Sequence, residues 1–270
     1  MPKVDNKHEG YSKHTSLKQI VIYNLFRQNI GTVYGICKSR NILDAKYVYI
    51  DATAGRGRYN GFVGSPIQFW NATTSYKHIL PINFKAYLIE LEKKLLLRLK
   101  DNLPKIFLDR SELIHGDYCN VVHDILNSEG KNYGILYVDP TGLINWEALQ
   151  KISKNRKFKL MDMIIHTSAV SLKRVRKVVN SKEELIEGIK KINKEKWYVS
   201  EPFREDPQHQ WFFLFGTNNR NEKFKPRSEG IKFYDLNNCR GNRILYKLNF
   251  TKKEYLNNLP GQRSLDEILS

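Results

Sequence analysis

Cysteine is scarce in this sequence: Cys37, Cys119 and Cys239 are far apart and form no Cys-x-x-Cys pair. This spacing argues against a structural zinc site and against a disulfide framework, both of which need clustered cysteines. Long apolar runs are missing too, since no stretch approaches the roughly 20 residues of a membrane helix, and MPKVDNKHEGYSKH lacks a signal-peptide core. We therefore expect a reduced, cytoplasmic protein with no metal site and no membrane segment.

Acidic residues are in the minority, because 45 Lys and Arg face 28 Asp and Glu, which gives a formal net charge of +17. A basic surface releases counterions when it meets phosphates, so this excess favours nucleic acid as a partner. The alternative is a basic protein without such a partner, or the lysine-rich usage of an AT-rich genome. With 41% hydrophobic residues, the 270-residue chain is that of a folded protein with one large core.

Apolar, strand-like runs alternate with stretches of helix length. The runs are residues 46–51, 84–90, 111–117, 133–139, 160–168, 196–202 and 211–219, and the helical stretches include 65–78, 92–103 and 146–152. Because the runs are apolar throughout, we predict an α/β fold with a mostly parallel sheet, covered by helices on both faces. The last two runs lie close together, which predicts a hairpin-like end to the sheet.

We divide the chain into three parts. Residues 1–46 form an N-terminal helical segment, residues 47–220 the core, and residues 221–270 a basic C-terminal appendage without a clear sheet period. Within the core, residues 171–196 are charged and helix-favouring, which predicts a helical insertion before the last two strands.

Four of the first five strand-like runs end in an acid. These acids are Asp51, Glu90, Asp117 and Asp139. Ligands of open α/β sheets bind beyond the carboxyl ends of the strands, so the four side chains should line one crevice. Carboxylates accept hydrogen bonds from ribose hydroxyls and amines but repel phosphates. The crevice therefore suits a nucleoside that carries positive charge.

A glycine-rich loop, ATAGRGRYNG, follows the first strand-like run. No Gly-Lys-Ser or Gly-Lys-Thr occurs, which excludes a Walker loop, and Gly55 and Gly57 begin a G-x-G-x-x-G pattern that Asn60 breaks. A tight turn without a ligand is the alternative for the glycines alone. Together with the acids at the strand ends, the loop favours S-adenosylmethionine as a cofactor.

Five motifs, YIDATAGRGRYNG, GSPIQFW, LIELE, HGDY and LYVDP, occur in this order between about residues 14 and 170. As a set they resemble the class I methyltransferases of the three-Cys-motif partner family, and also the J-type enzymes that methylate adenine N6 in bacterial large-subunit ribosomal RNA. The resemblance implies a Rossmann-like fold with a mostly parallel seven-stranded sheet. It also implies S-adenosylmethionine-dependent methyl transfer and makes a protein partner plausible.

The resemblance further implies a set of cofactor-binding residues. They are Lys18, Asp51, Thr53, Gly55, Gly57, Ser65, Glu90, Asp117 and Tyr118. Glu90 would hold the ribose hydroxyls, Asp117 and Tyr118 would lie at the adenine, and Lys18 would lie near the cofactor carboxylate. An exposed helix lysine is the alternative for Lys18. Ser65 followed by Pro66 independently predicts a helix start, with the serine as N-cap and the proline at N1.

The fourth strand-like run ends in DPTG, with Asp139 and Pro140 as candidate catalytic residues. Enzymes that methylate an exocyclic amine of adenine or cytosine carry Asp or Asn, Pro, Pro and an aromatic residue. There the carboxyl or amide and a backbone carbonyl bind the amino group, while the aromatic ring stacks on the flipped base. Here the second proline and the aromatic residue are missing, so Trp146, Tyr59 or Tyr11 would have to supply the ring. A cytosine-C5 mechanism is disfavoured because no Pro-Cys occurs.

Two groups of cations are candidate contacts to nucleic acid. Arg56 and Arg58 would point to substrate phosphates or pair with the strand-end acids. The other group is Lys173, Arg174, Arg176 and Lys177, which cannot share one helix face and so suit a phosphate backbone. A solvated helix surface is the alternative for that group. The run NRNEKFKPR, residues 219–227, adds a further cationic edge.

The function that these patterns favour is an S-adenosylmethionine-dependent methyltransferase acting on DNA or RNA, for instance on adenine N6. His166, at the end of the fifth run, is a candidate general base or substrate contact, or else a buried structural histidine. The alternative function is a non-catalytic nucleic-acid-binding subunit that works with a partner, which the missing aromatic residue favours. A methyltransferase acting on protein or a small molecule is the third, which the charge disfavours.

Overall fold

The computed structural model describes residues 15–42, 46–75, 83–130, 132–140, 144–168, 181–206 and 209–247. The helices in these ranges are α1 Thr15–Ser39, α2 Ser65–Thr74, α3 Lys93–Asn102, α4 Lys105–Leu108, α5 Tyr118–Ser128, α6 Trp146–Ser153, a 3₁₀ helix Arg156–Leu160, α7 Ser181–Lys191 and α8 Cys239–Lys247. The strands are β1 Lys46–Asp51, β2 Arg58–Tyr59, β3 Phe62–Val63, β4 Asn83–Glu90, β5 Ser111–His115, β6 Tyr133–Val138, β7 Met161–Ser168, β8 Lys196–Ser200, β9 Phe203–Asp206, β10 His209–Thr217 and β11 Phe233–Asp235.

The central sheet has the strand order β11-β8-β10-β7-β6-β1-β4-β5, with β9 paired to β10. Five neighbouring strands of this order, β7, β6, β1, β4 and β5, are parallel to one another. In contrast, β10 runs antiparallel to both β7 and β8. From β1 the chain moves outward to β4 and β5, and then returns to β6 and β7 on the other side. The order therefore reverses beside β1, which is where ligands bind in open α/β sheets.

The predicted mostly parallel α/β sheet is confirmed, but the predicted number of seven strands is wrong. In the described ranges, eight strands form the continuous path, and β9 joins as a ninth. β11 comes from the part predicted as an appendage, where residues 233–235 pair with β8. Three half-buried residues are too short to show a strand period in the sequence.

Helices cover both faces of the sheet, and alternate strand residues point to opposite faces. Tyr47 and Tyr49 of β1 pack with α1 and α2, whereas Val48 and Ile50 pack with α5 and α6. This alternation follows from the two-residue period of a strand. Each face of the sheet therefore has its own apolar layer, and the two layers hold the strands, and with them the residues at the strand ends, in place.

Most predicted elements have the predicted positions. α3 spans Lys93–Asn102, α6 spans Trp146–Ser153, and β8 and β10 form the predicted antiparallel pair, with β11 beyond β8 at the sheet edge. Part of the predicted insertion is helix α7, Ser181–Lys191, while residues 171–180 lie outside the described ranges. Among the described residues, no helix is both long and apolar enough to span a bilayer.

Candidate active site

Asp51 is the last residue of β1, and its carboxylate forms a hydrogen bond with the backbone of the glycine turn. Its side chain is fully buried, and it accepts hydrogen bonds from the Tyr49 hydroxyl (2.6 Å) and the Thr53 amide (3.1 Å), and from the Ser65 hydroxyl. Burial raises the pKa of Asp51 to about 6, although these hydrogen bonds oppose the rise. Ser65 is therefore not the N-cap of α2 as predicted. Gly64 takes that place, and the serine side chain serves the buried carboxylate instead.

The two glycines of the turn, Gly55 and Gly57, share a backbone conformation but differ in their surroundings. Both have positive φ, +63° at Gly55 and +77° at Gly57, where a side chain is strained. A Cβ on Gly57 would lie 2.8 Å from the Cδ1 atom of Leu99 of α3, so the leucine side chain would have to shift. A Cβ on Gly55 would meet nothing within 4 Å. The backbone at Gly55 therefore borders open space in which a ligand has room.

Glu90 ends β4 and lies against the same turn. The Gly55 amide donates to its Oε2 at 2.8 Å, and the Glu92 amide donates to its Oε1 at 2.9 Å. Its side chain is half-buried. Each carboxylate oxygen can accept more than one hydrogen bond, so Glu90 keeps acceptor capacity for hydroxyl groups of a ligand.

Asp139, directly after β6, is held between two side chains from distant parts of the chain. Lys18 of α1 donates to its Oδ2 at 2.5 Å, and Nδ1 of His166, on β7, lies 2.7 Å from its Oδ1. The Asp139 amide also donates to the Thr53 hydroxyl at 2.9 Å. One hydrogen bond thus joins the glycine turn to the backbone of the residue that carries this carboxylate.

The surroundings of Asp139 keep its carboxylate ionised. Burial alone would raise the pKa of Asp139, but Lys18 and His166 outweigh it and hold that pKa below its usual range. Burial and the Lys18 charge lower the pKa of His166 to about 4, although Asp139 opposes this. The imidazole is therefore neutral at pH 7. Since an ionised carboxylate only accepts, Nδ1 carries the proton and Nε2 is the unprotonated nitrogen.

Aromatic rings fix the plane of His166. Its side chain is 3% exposed, and its ring stacks on Trp211 of β10 at 5.0 Å with an interplanar angle of 6°. Phe213 lies 4.6 Å away on the same strand. Nε2 is buried and has no hydrogen-bond partner among the described residues. The histidine is thus a packed residue that donates to Asp139, which agrees with the alternative of a buried structural histidine, while the role of general base or substrate contact stays a prediction.

The residues predicted at an adenine lie at the start of α5. Asp117 caps the helix by accepting from the Cys119 amide at 2.9 Å, and its side chain is exposed. Tyr118 is half-buried and packs against the apolar layer beneath α5 and α6. Burial raises the pKa of the Tyr118 hydroxyl, so this residue stays neutral.

The candidate stacking rings are only partly accessible. Trp146 is 9% exposed and packs against α7, where a Cβ on Gly188 would lie 2.2 Å from the indole. It therefore cannot stack on a base without leaving the core. Tyr59 is half-buried beneath the guanidinium of Arg56, at 4.6 Å, while Tyr11 lies outside the described residues. Trp211, which is half-exposed beside His166, had no signal in the sequence that marked it as a site residue.

The predicted cations separate into three groups. Arg56 is 9% exposed, so its side chain lies against the protein, and Arg58 is exposed on the β2–β3 hairpin. The group Lys173, Arg174, Arg176 and Lys177 lies outside the described residues.

The residues that follow Asp139 are described only in part. Pro140 is half-buried next to Asp139, whereas Thr141 and Gly142 lie outside the described residues. Within the described ranges, no cluster of three or more His, Cys, Asp or Glu could hold a metal ion.

No protein-family model and no curated protein matches the chain. Among solved structures, the Legionella pneumophila protein LPL1258, described by the family model DUF519, has a TM-score of 0.52 at 14% identity, with 80% of this chain and 96% of that chain covered. A putative rRNA methylase from Clostridium thermocellum has a TM-score of 0.38 at 14% identity, with 70% and 96% covered. The Methanococcus jannaschii fibrillarin pre-rRNA processing protein has a TM-score of 0.37 at 18% identity, with 65% and 68% covered. The first likeness shows a shared Rossmann-like fold, and the other two scores are too low to support an argument.

Proposed function

We propose that this protein is an S-adenosylmethionine-dependent methyltransferase that acts on an exocyclic amine of a nucleic-acid base, such as adenine N6. The observation that carries the proposal is the Asp139 carboxylate beside a glycine turn that borders open space, with the Asp139 backbone amide donating to the Thr53 hydroxyl of that turn. A carboxylate that accepts from an amine must lie next to the methyl donor, and this hydrogen bond places the two features side by side.

The side chains around the turn fit S-adenosylmethionine. Open space at Gly55 leaves room for the methionine part, and the half-buried Glu90 has acceptor capacity for the ribose hydroxyls. Asp51 and Glu90 give the crevice a negative field, while Lys18 offsets the charge of Asp139, and this field favours a ligand with a sulfonium and an ammonium group. Asp117 and Tyr118, at the end of the neighbouring β5, are the candidates for the adenine. Lys18 lies at the Asp139 end of this crevice.

The residues around Asp139 suit the orientation of an amine. When bound, S-adenosylmethionine would supply an electrophilic methyl group: the amine nitrogen would gain the methyl carbon, the sulfur–methyl bond would break to leave S-adenosylhomocysteine, and one amine proton would pass to water. Both Asp139 oxygens already accept one hydrogen bond, and each retains a lone pair for an N–H of the amine. Because its pKa is low, Asp139 is a weak base, and its contribution is to orient the amine and stabilise the positive charge that develops on it.

Lys18 and His166 act through Asp139. Lys18 keeps the carboxylate ionised, and neutral His166 fixes its orientation by donating from Nδ1. The net charge of +17 supports a nucleic-acid substrate, whose base would be taken out of the stack to reach this depth. Trp211 is half-exposed and stacks on His166, and it is our candidate for the missing stacking residue.

Thermal unfolding with S-adenosylhomocysteine tests the cofactor assignment. A ligand at about 100 times its dissociation constant that binds only the folded state adds about 2.7 kcal/mol, which is a clear shift of the unfolding temperature. Glu90→Gln should lose this shift. The matched control is Glu112→Gln on the adjacent β5, where the carboxylate faces Lys85 at 3.1 Å, and it should keep the shift. Well-folded protein without any shift would contradict the proposal.

Methyl transfer distinguishes an enzyme from a non-catalytic subunit, which the missing aromatic residue after Pro140 still favours. Protein should transfer a labelled methyl group to cellular RNA or DNA, and Asp139→Ala should abolish transfer while the cofactor-induced shift remains. A protein that binds cofactor and nucleic acid, yet transfers nothing to either, would favour the subunit.

A further inference from the structure

A basic surface lies beside α1, at the β11 edge of the sheet. It is concave, and the concavity has a volume of about 410 Å³. Its lining consists of residues 225–228, 231–235, 238 and 240. Four of the lining side chains are cations, Lys225, Arg227, Lys232 and Arg240, and all four are exposed. We call this surface the β11 groove.

The local sequence explains why the cations project outward. Residues 224–227, Phe-Lys-Pro-Arg, alternate between buried and exposed, with Phe224 and Pro226 inside and Lys225 and Arg227 outside. This is the two-residue period of an extended segment with one face on the protein. The apolar residues hold the segment down, so the cations stand on a fixed backbone.

Hydrogen bonds to α1 reinforce that backbone. The Gln28 side chain donates to the Lys225 carbonyl at 2.6 Å and accepts from the Arg227 amide at 2.8 Å. Asn24 donates to the Ser228 hydroxyl at 3.3 Å. A basic run that was only a solvated surface would not need such anchoring, because long cationic side chains are solvated on mobile loops equally well.

The charge of the groove has little internal compensation. Among the described residues, none of its four cations forms an ion pair with a carboxylate, and Asp235 is the acid in the lining. Like charges around one concavity repel one another, and an anionic partner would relieve the repulsion. Phosphodiesters carry one such charge at each nucleotide, which matches a row of cations rather than a single site.

The groove leads to the candidate active site. Phe233 pairs with Ser200, the last residue of β8, and β8 ends at the same sheet edge as β1 and β6. Gly230 packs against Leu17, since a Cβ there would lie 3.3 Å from the leucine, and Leu17 precedes Lys18. Lys18 and Gln28 are about 15 Å apart along α1 at 1.5 Å per residue, or four to five steps of about 3.4 Å on a nucleic-acid strand.

We propose that the β11 groove binds the phosphate backbone of the nucleic acid whose base occupies the candidate active site. The inference rests on the proposed function for its link to a base. It adds the surface that holds the flanking nucleotides and fixes the direction in which the strand leaves the site, along α1 from Lys18 towards Gln28.

Fluorescence anisotropy with labelled 20-nucleotide single strands, RNA and DNA of one sequence, tests the groove without cofactor. The variant carries Lys225→Gln, Arg227→Gln, Lys232→Gln and Arg240→Gln. The matched control removes the same charge from exposed positions of α3 and α4 with Lys93→Gln, Lys94→Gln, Lys100→Gln and Lys105→Gln. All eight side chains are exposed, so both variants should fold, which circular dichroism checks.

Each lost phosphate contact reduces the slope of log affinity against log salt by about 0.7 on a single strand, so the groove variant should lose about 2 to 3 in slope and at least about ten-fold in affinity. The α3–α4 control should stay within about two-fold of the original protein. A stronger loss with one of the two strands names the preferred nucleic acid. Equal losses of affinity in both variants, or no binding of either strand by the original protein, would overturn the proposal that the β11 groove binds the phosphate backbone. A missing S-adenosylhomocysteine shift would instead overturn the proposed function and leave this measurement intact.

Discussion

The Lys18–Asp139 ion pair can be tested without knowing the substrate, through the pH dependence of stability. Lys18→Met keeps the side-chain stem and removes the ammonium group that donates to Asp139 at 2.5 Å. In the original protein the low pKa of folded Asp139 stabilises the fold above the usual aspartate pKa, and this stability is lost as pH falls through the folded value. Without Lys18, burial dominates and the folded pKa of Asp139 rises above its unfolded value.

The size of the effect follows from a comparison within the same site. Asp51 is buried at the neighbouring strand end without a cation, and its pKa is raised to about 6. If Asp139 in the variant moves to that value from an unfolded value of about 3.9, its ionisation costs about 3 kcal/mol at 1.36 kcal/mol per unit. In the variant, His166 still donates to Asp139, and the Asp139 side chain is 21% exposed to solvent. Both reduce the cost of ionising Asp139, so we expect a loss of about 1 to 2 kcal/mol in stability.

The sign of the pH effect is therefore fixed. The stability difference between the original protein and Lys18→Met should widen by about 1 to 2 kcal/mol as pH rises from about 4.5 to 7.5, measured by urea unfolding. Lys93→Met, which removes an exposed lysine, should show no such widening. In Lys18→Met/Asp139→Asn the pH-dependent part should disappear, because Asn does not ionise. A difference that stays constant with pH in the single variant would refute the role of Lys18.

Three further predictions concern the same site. Binding of cationic S-adenosylmethionine should tighten as pH rises through the Asp51 pKa of about 6, because the ionised carboxylate attracts it, whereas uncharged adenosine should show no change in titration calorimetry. His166→Phe keeps a ring but loses the donor to the carboxylate, so stability should fall by about 1.5 to 3 kcal/mol, and methyl transfer should fall while cofactor affinity persists; unchanged transfer would contradict this role. Gly57→Ala should lose about 2 to 4 kcal/mol in urea unfolding from strained φ and overpacking, while Gly55→Ala should lose about 1 to 2 kcal/mol and weaken the cofactor-induced shift.

The general architecture could be predicted from the sequence, because its signals are local. Apolar runs such as 46–51 and 133–139 predict buried parallel strands, and β1 and β6 lie there. Carboxyl ends of parallel strands share one edge, so the acids after these runs had to lie near one another once the sheet was parallel. Asp51 and Asp139 both contact Thr53, whose amide donates to the Asp51 carboxylate and whose hydroxyl accepts from the Asp139 amide.

Short or solvent-facing signals misled the prediction in specific places. Ser65 has the sequence pattern of an N-cap, yet the buried Asp51 carboxylate takes its hydroxyl, since an ionisable group in the core needs donors more than a helix end does. Trp146 was a candidate stacking ring, but it packs against α7 at a helix start where its apolar area is buried. β11 joins the sheet with three residues, too few for a period.

The sequence by itself determined the layered α/β fold, the glycine turn and the row of acids at the strand ends, since each depends on residues close together in the chain. Only the tertiary structure decided that Lys18 and His166 meet at Asp139, 121 and 27 residues away. It also decided that residues 225–228 lie along α1. Such pairings depend on strand order and on which faces become buried, and a charge that leaves water must find its partner wherever the fold brings one.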